Sequence, residues 1–83
     1  MDVRLHSHAQ ERERERRASE HEVKATVLQG EQFPAQFGRT GFRRNFSFDG
    51  EWRGKHYATK QVEAFAVQES PEWLVITVVT RYF

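Results

Sequence analysis

The run WLVITVVTRYF, residues 73–83, sets the strongest constraint on how this chain can fold. β-Branched and aromatic residues dominate it, and apolar side chains occupy both alternating positions through most of its length. A segment of this kind extends as a strand covered on both faces. It is therefore expected inside a sheet, with Val75 and Ile76 both buried. A chain of 83 residues offers one core in which to bury it, so residues 1–83 are read as a single domain.

Upstream of that strand the pattern alternates. In GFRRNFSFDG, residues 41–50, Phe42, Phe46 and Phe48 share one face with Arg44, while Arg43, Asn45 and Ser47 point the other way. Asp49-Gly50 reads as the hairpin turn, since both residue types tolerate positive φ. Residues 52–57 return as a short strand or an ordered loop, with Gly54 weakening the strand. In QVEAFAVQE, residues 61–69, Val62, Ala64 and Ala66 lie opposite Glu63, Phe65 and Val67, and Ser70-Pro71-Glu72 makes the next turn.

Before Pro34 the pattern is helical. Ser7 is placed to cap a first helix over residues 8–16. Ser19-Glu20-His21-Glu22 is a capping box for a second helix, which Val23, Val27 and Leu28 provide with an apolar stripe and Gly30 ends. The expected architecture is α+β, with two N-terminal helices packed on a three- to four-stranded antiparallel meander sheet.

Composition narrows the setting. There are no cysteines, so disulfides and thiolate metal sites are excluded, and a reducing cytoplasm is the natural compartment. No apolar run approaches the roughly 20 residues of a membrane span, and the N-terminus lacks the apolar core of a signal peptide. Hydrophobic residues make up 37% of the chain and charged ones 30%, a small core for its size that favours a homodimer. Charge is unevenly spread: residues 31–60 hold six cations (Arg39, Arg43, Arg44, Arg53, Lys55 and Lys60) against Glu31, Asp49 and Glu51. Phe42, Phe46, Trp52 and Tyr57 are interleaved with them, a mixture that suits nucleic acid as well as an ordinary solvated sheet face.

The first helix is polar all round, HAQERERERR over residues 8–17. His8, Arg12 and Arg16 follow at i, i+4 and i+8 and share one side. The bland account lays arginine stems along the sheet with their guanidinium groups in water. The functional account makes the stripe one wall of a cleft for an anion, because the planar guanidinium fork donates two parallel hydrogen bonds to phosphate. His6-Ser7-His8 lacks a third ligand, so neither a metal nor a cofactor is expected. His21 and His56 read as surface residues.

The pattern S-H-A-x-x-R-x-x-x-R-R-A-S-x-x-E-V, residues 7–23, resembles the opening of a bacterial family numbered only as domain of unknown function forty-two fifty-eight. Lys60-Gln61-Val62-Glu63 and Ile76-Thr77-Val78 are similar to later stretches of that family. Arg17 stands where the family has glycine, Ala18 where it has isoleucine, and Glu13 where an apolar residue is common. The resemblance implies an N-terminal helical portion on an antiparallel sheet, distantly like the fold of barnase-like and RelE-like ribonuclease toxins. Cleavage of RNA without a metal would then assign roles by chemistry, with Lys60 and Thr77 taken from the family-like stretches. His8 would be the acid/base for a ribose 2′-OH, Arg12 and Arg16 the cations on the phosphorane, and Lys60 a second cation. Thr77, which matches the family motif and shares a face with Arg81, is preferred to Tyr82 on the opposite face.

These features lead to an expected small RNA-interacting domain, in its most specific form a metal-independent ribonuclease of toxin type. The alternative is a non-catalytic binding or structural module that acts through a dimer or an antitoxin-like partner protein. Under the first reading, Arg12→Ala and Arg16→Ala each weaken RNA binding and flatten its salt dependence by about one unit of slope, with Arg14→Ala as the neutral control. His8→Ala spares binding and removes cleavage, by roughly 10²–10⁴-fold in rate. Titration of a labelled RNA at several salt concentrations, with a cleavage assay beside it, checks both.

Overall fold

The computed structural model describes residues 2–7, 9–10 and 18–83. In chain order the elements are β1 (Val3–Leu5), α1 (Glu20–Gln29), β2 (Glu31–Pro34), β3 (Thr40–Trp52), β4 (Lys55–Glu69) and β5 (Glu72–Tyr82). The strands form one sheet in the order β1-β5-β4-β3-β2. From β2 to β5 each strand pairs antiparallel with the next, whereas β1 joins parallel to β5, with Val3 opposite Trp73 and Leu5 opposite Val75.

This corrects the expected architecture of two N-terminal helices on a three- to four-stranded antiparallel sheet. The sheet has five strands and is mixed, and α1, between β1 and β2, is the one helix described over its whole length. Ser7, Ala9 and Gln10 are helical, with the Gln10 N–H donating to the His6 carbonyl at 3.0 Å. The rest of the helix expected over residues 8–16 lies outside the described residues. Two strands escaped the sequence reading for physical reasons. β1 has only three residues, too few to display an alternation, and β2 ends in a proline that denies the ladder a donor.

β5 is internal, as its composition demands, because β1 covers the edge that the meander leaves open. Val75 is fully buried, but Ile76 is only half-buried. The register explains the difference. Phe65 faces Thr77 and Ala66 faces Val75, which leaves Ile76 as an extra residue in a bulge. Val75 and Val78 therefore both point into the core, and Ile76 and Thr77 between them do not.

The β3–β4 turn is also displaced from the expected Asp49-Gly50. Trp52 pairs with Lys55, and the two residues between them, Arg53 and Gly54, have φ of 53° and 78°. Positive φ at both central positions is the signature of the tight hairpin turn that matches strand twist. Asp49 has positive φ too, 44°, but it sits at the register shift between Ser47 and Gly50, in a bulge. The β4–β5 turn falls at Ser70-Pro71, joined by a cis peptide bond.

One face of the sheet carries the core. Val62, Ala64 and Ala66 of β4, Phe42 of β3 and Trp73, Val75 and Val78 of β5 meet Val23 and Val27 of α1. Phe42 and Trp73 pack edge to face at 5.0 Å. The two alanines let the helix approach the sheet closely. Thr26 takes the buried place expected for Leu28; its hydroxyl donates to the Glu22 carbonyl at 2.8 Å, and Leu28 is 53% exposed. Gly30 ends the helix with ordinary φ of −80°, and glycine is required there by space: a Cβ would strike the carbonyl oxygens of Thr26 and Arg43.

Val75→Asp is expected to abolish folding, because an unpaired carboxylate in the core costs more than a small domain's whole stability margin. Ile76→Asp, on the half-buried bulge, should remain folded with a loss of about 1–3 kcal/mol. Urea unfolding followed by circular dichroism distinguishes the two outcomes.

Candidate nucleic-acid interface

The helix is tied to the sheet by one carboxylate. Lys60 lies on the core-facing side of β4, between Phe46 of β3 and Tyr82 of β5 in register, and is 6% exposed. Its ammonium donates to Glu22 Oε1 at 2.8 Å. The same oxygen accepts the Ser19 N–H at 2.9 Å, while the Glu22 N–H donates to Ser19 Oγ at 3.1 Å. The expected capping box is therefore present, and its glutamate also holds the sheet. Burial pushes the Glu22 carboxyl up, but the hydrogen bonds from Lys60 and Ser19 and the lysine charge outweigh it, leaving the group below its ordinary value.

The opposite face of the sheet holds another carboxylate, more deeply buried than Glu22. Glu63 is 4% exposed and is flanked by two arginines. Arg43 donates to Oε2 from Nε at 3.2 Å and from Nη2 at 2.9 Å, and Arg81 Nε donates to Oε1 at 3.0 Å. Burial again raises the carboxyl, and the bonds and charges of Arg81 and Arg43 bring it below the usual range. Lys60 and Glu63, read together from one short motif, thus anchor ion pairs on opposite faces.

The expected site residues distribute as follows. His8, Arg12 and Arg16 lie outside the described residues, as does Arg14. Thr77 stands opposite Phe65 on the face away from α1, in line with Gly41 and Phe33. It shares that face with Arg81, and Tyr82 is on the helix side beside Lys60. The sheet therefore separates Lys60 from Thr77. The lysine, held by Glu22, is a structural cation in this arrangement.

What the sequence reading missed is a groove between α1 and β3. It measures about 350 Å³ and is lined by His21, Lys24, Ala25, Leu28, Gln29, Arg44 and Phe46. His21, Lys24 and Leu28 recur at i, i+3 and i+7, a second stripe beside the buried one of Val23, Thr26 and Val27. Arg44 donates from Nη1 to Gln29 Oε1, and its guanidinium carbon lies 5.2 Å from the centre of the Phe46 ring. Among the described residues, Lys24 makes one long helical ion pair, with Glu20 at 3.5 Å, and both side chains are exposed. No carboxylate among the described residues lines the groove. Two cations, an imidazole and an aromatic ring on one groove can take up a phosphate and a planar group together.

Elsewhere the basic segment is dispersed. Arg53 lies over Trp52 at 5.2 Å and Lys55 over Tyr57 at 5.6 Å, the same kind of contact that Arg44 makes with Phe46 in the groove. Trp52 in turn stacks on Tyr82 at 5.0 Å. Among the described residues, no helix is long and apolar enough to cross a membrane. No protein-family model matches the chain, and no curated protein or solved structure matches it either.

Both lowered carboxyls make a pH prediction with a definite sign. A carboxyl depressed by folding contributes stability that is complete above its ordinary value and lost as pH falls through the lower folded value. Unfolding free energy should therefore fall as pH drops through and below the ordinary carboxylate range, because the unfolded chain takes up protons first. Glu63→Gln should flatten that slope and lower stability near neutrality by about 1–3 kcal/mol. Urea titrations across the range measure both.

Proposed function

We propose that this chain is a small RNA-interacting domain that receives a single strand in the groove between α1 and β3. The observation that carries the reading is the convergence of Lys24, Arg44 and Phe46 on a groove to which no described residue contributes a carboxylate. Lysine and arginine neutralise phosphates, and an aromatic ring stacks a base of any sequence. A groove of about 350 Å³ suits a nucleotide unit of an opened strand better than the broad surface of a duplex. The resemblance of residues 7–23 to the bacterial family supports the same reading, and kinship with the barnase- and RelE-like toxins makes a metal-independent ribonuclease its most specific form. In that form His8 is the acid/base and Arg12 and Arg16 bear the phosphorane, while Lys60 acts by holding α1 in place.

A second reading, a binding module acting through a homodimer or a partner protein, is favoured by the other face of the sheet. Phe33, Phe65, Ile76 and Val79 are half-buried there, with no layer over them among the described residues.

Anisotropy titration of a labelled single-stranded RNA tests the first reading. Lys24→Ala and Arg44→Ala should each weaken binding and reduce the salt slope by about one unit. Arg4→Ala, whose guanidinium pairs with Glu72 at 2.8 Å on the far edge, should change neither. Unsaturable wild-type binding, or equal losses in all three variants, would sink the groove as the interface. Growth arrest on expression in bacteria, relieved by His8→Ala, is the outcome expected of the ribonuclease form.

A further inference from the structure

The turn between β2 and β3 builds a second cleft, on the face opposite α1. The Ala35 N–H donates to the Arg39 carbonyl at 3.2 Å and the Arg39 N–H to the Gln36 carbonyl at 3.3 Å, which curls the turn tightly. At its tip Phe37 is 85% exposed and has φ of 61°, a left-handed conformation that a side chain disfavours. The turn, with Phe33, Phe65 and Thr77, encloses about 420 Å³. The lining is mainly apolar, and among the described residues Arg39 is its single charged one and no carboxylate contributes. Just beyond it, the Arg43 guanidinium lies 4.5 Å over the Phe33 ring, and Arg43 and Arg81 are balanced by Glu63, with which both of them pair, and by Glu31, opposite Arg43 in register. The result is an apolar pocket with one cation, Arg39, in its described lining, bordered by β2, which has a sheet neighbour on one side only.

We propose that this cleft docks a segment of a partner protein that carries an apolar side chain within two residues of a carboxylate. The apolar side chain fills the space between Phe33, Phe65 and Thr77, with Phe37 closing over it. The carboxylate meets the Arg39 fork, which makes no side-chain ion pair among the described residues. Charge decides the occupant. A second copy related by a two-fold axis through the cleft would set Arg39 against Arg39. A nucleic acid would find one cation on an otherwise apolar surface. An apolar-acidic segment satisfies both features, and the exposed edge of β2 gives it an extended path. This site is separate from the RNA groove and does not depend on it.

The test pans a random heptapeptide display library on the intact protein, with counter-selection against Arg39→Glu. The expected consensus is Leu, Ile, Met or Phe followed within two residues by Asp or Glu. A synthetic consensus peptide should shift the amide resonances of Phe33, Phe65 and Thr77 and leave those of His21 and Arg44 unmoved. Arg39→Ala should weaken it roughly tenfold, the value of a lost charge-assisted bond. The proposal is overturned by no enrichment beyond counter-selection, by a basic consensus, or by shifts confined to the RNA groove. Self-association that Phe37→Ala abolishes would overturn it too, by giving the cleft to a second copy.

Discussion

Glu22 serves two elements with one carboxylate. It closes the N-terminal box of α1 through Ser19, and it takes the ammonium of Lys60 from the middle strand of the sheet. Removing both charges from water costs several kcal/mol, and the hydrogen bonds on either side of the pair are what offset it. The consequence is geometric. With Glu22 held over β4, the helix cannot rotate without breaking the pair, so Val23, Thr26 and Val27 face the core. His21, Lys24 and Leu28 then fall beside β3, where Arg44 and Phe46 complete the groove. The candidate interface is thus a by-product of how the helix is clamped.

The opposite face is organised by a different ion pair and has a different character. Glu63 lies under Arg43 and Arg81, whose stems cover the sheet while their charges saturate the carboxylate. Next to this network the face is aromatic: Phe33 meets Phe65 edge to face at 5.9 Å, and the Phe37 turn borders the cleft. One face therefore combines a helix with a cationic groove, and the other leaves an apolar cleft with Arg39 in its lining. Two chemically distinct surfaces share one small sheet.

Much of the scaffold was legible where it depended on neighbours in sequence. The capping box at Ser19, the helix stop at Gly30, the turn at Ser70-Pro71 and the interior place of β5 all follow from local chemistry. Even the separation of Thr77 from Tyr82 could be read from alternation alone. Errors arose where one local signal has two structural outcomes. Positive φ is needed both in a bulge and in a hairpin turn, so Asp49-Gly50 was mistaken for the turn that Arg53-Gly54 makes. A bulge at Ile76 undid the burial expected from its neighbours. The five-stranded mixed sheet was missed because β1 and β2 are short, and parallel pairing of β1 with β5 leaves no mark on three residues. The role of Lys60 was hidden for another reason: its partner lies 38 positions away, and a cation in a basic segment looks the same whether it meets RNA or a carboxylate. The α1–β3 groove likewise exists only once helix and strand are brought together.

The clamp can be tested apart from any ligand contact by a double-mutant cycle on Glu22→Gln and Lys60→Met, read by both urea unfolding and RNA affinity. If the pair positions the groove, each single variant loses stability and RNA affinity together, and the double variant is little worse than either. Strictly additive losses would show that the two side chains do not act as a unit. An affinity loss confined to Lys60→Met, with Glu22→Gln binding normally, would contradict the account by making Lys60 a direct RNA contact.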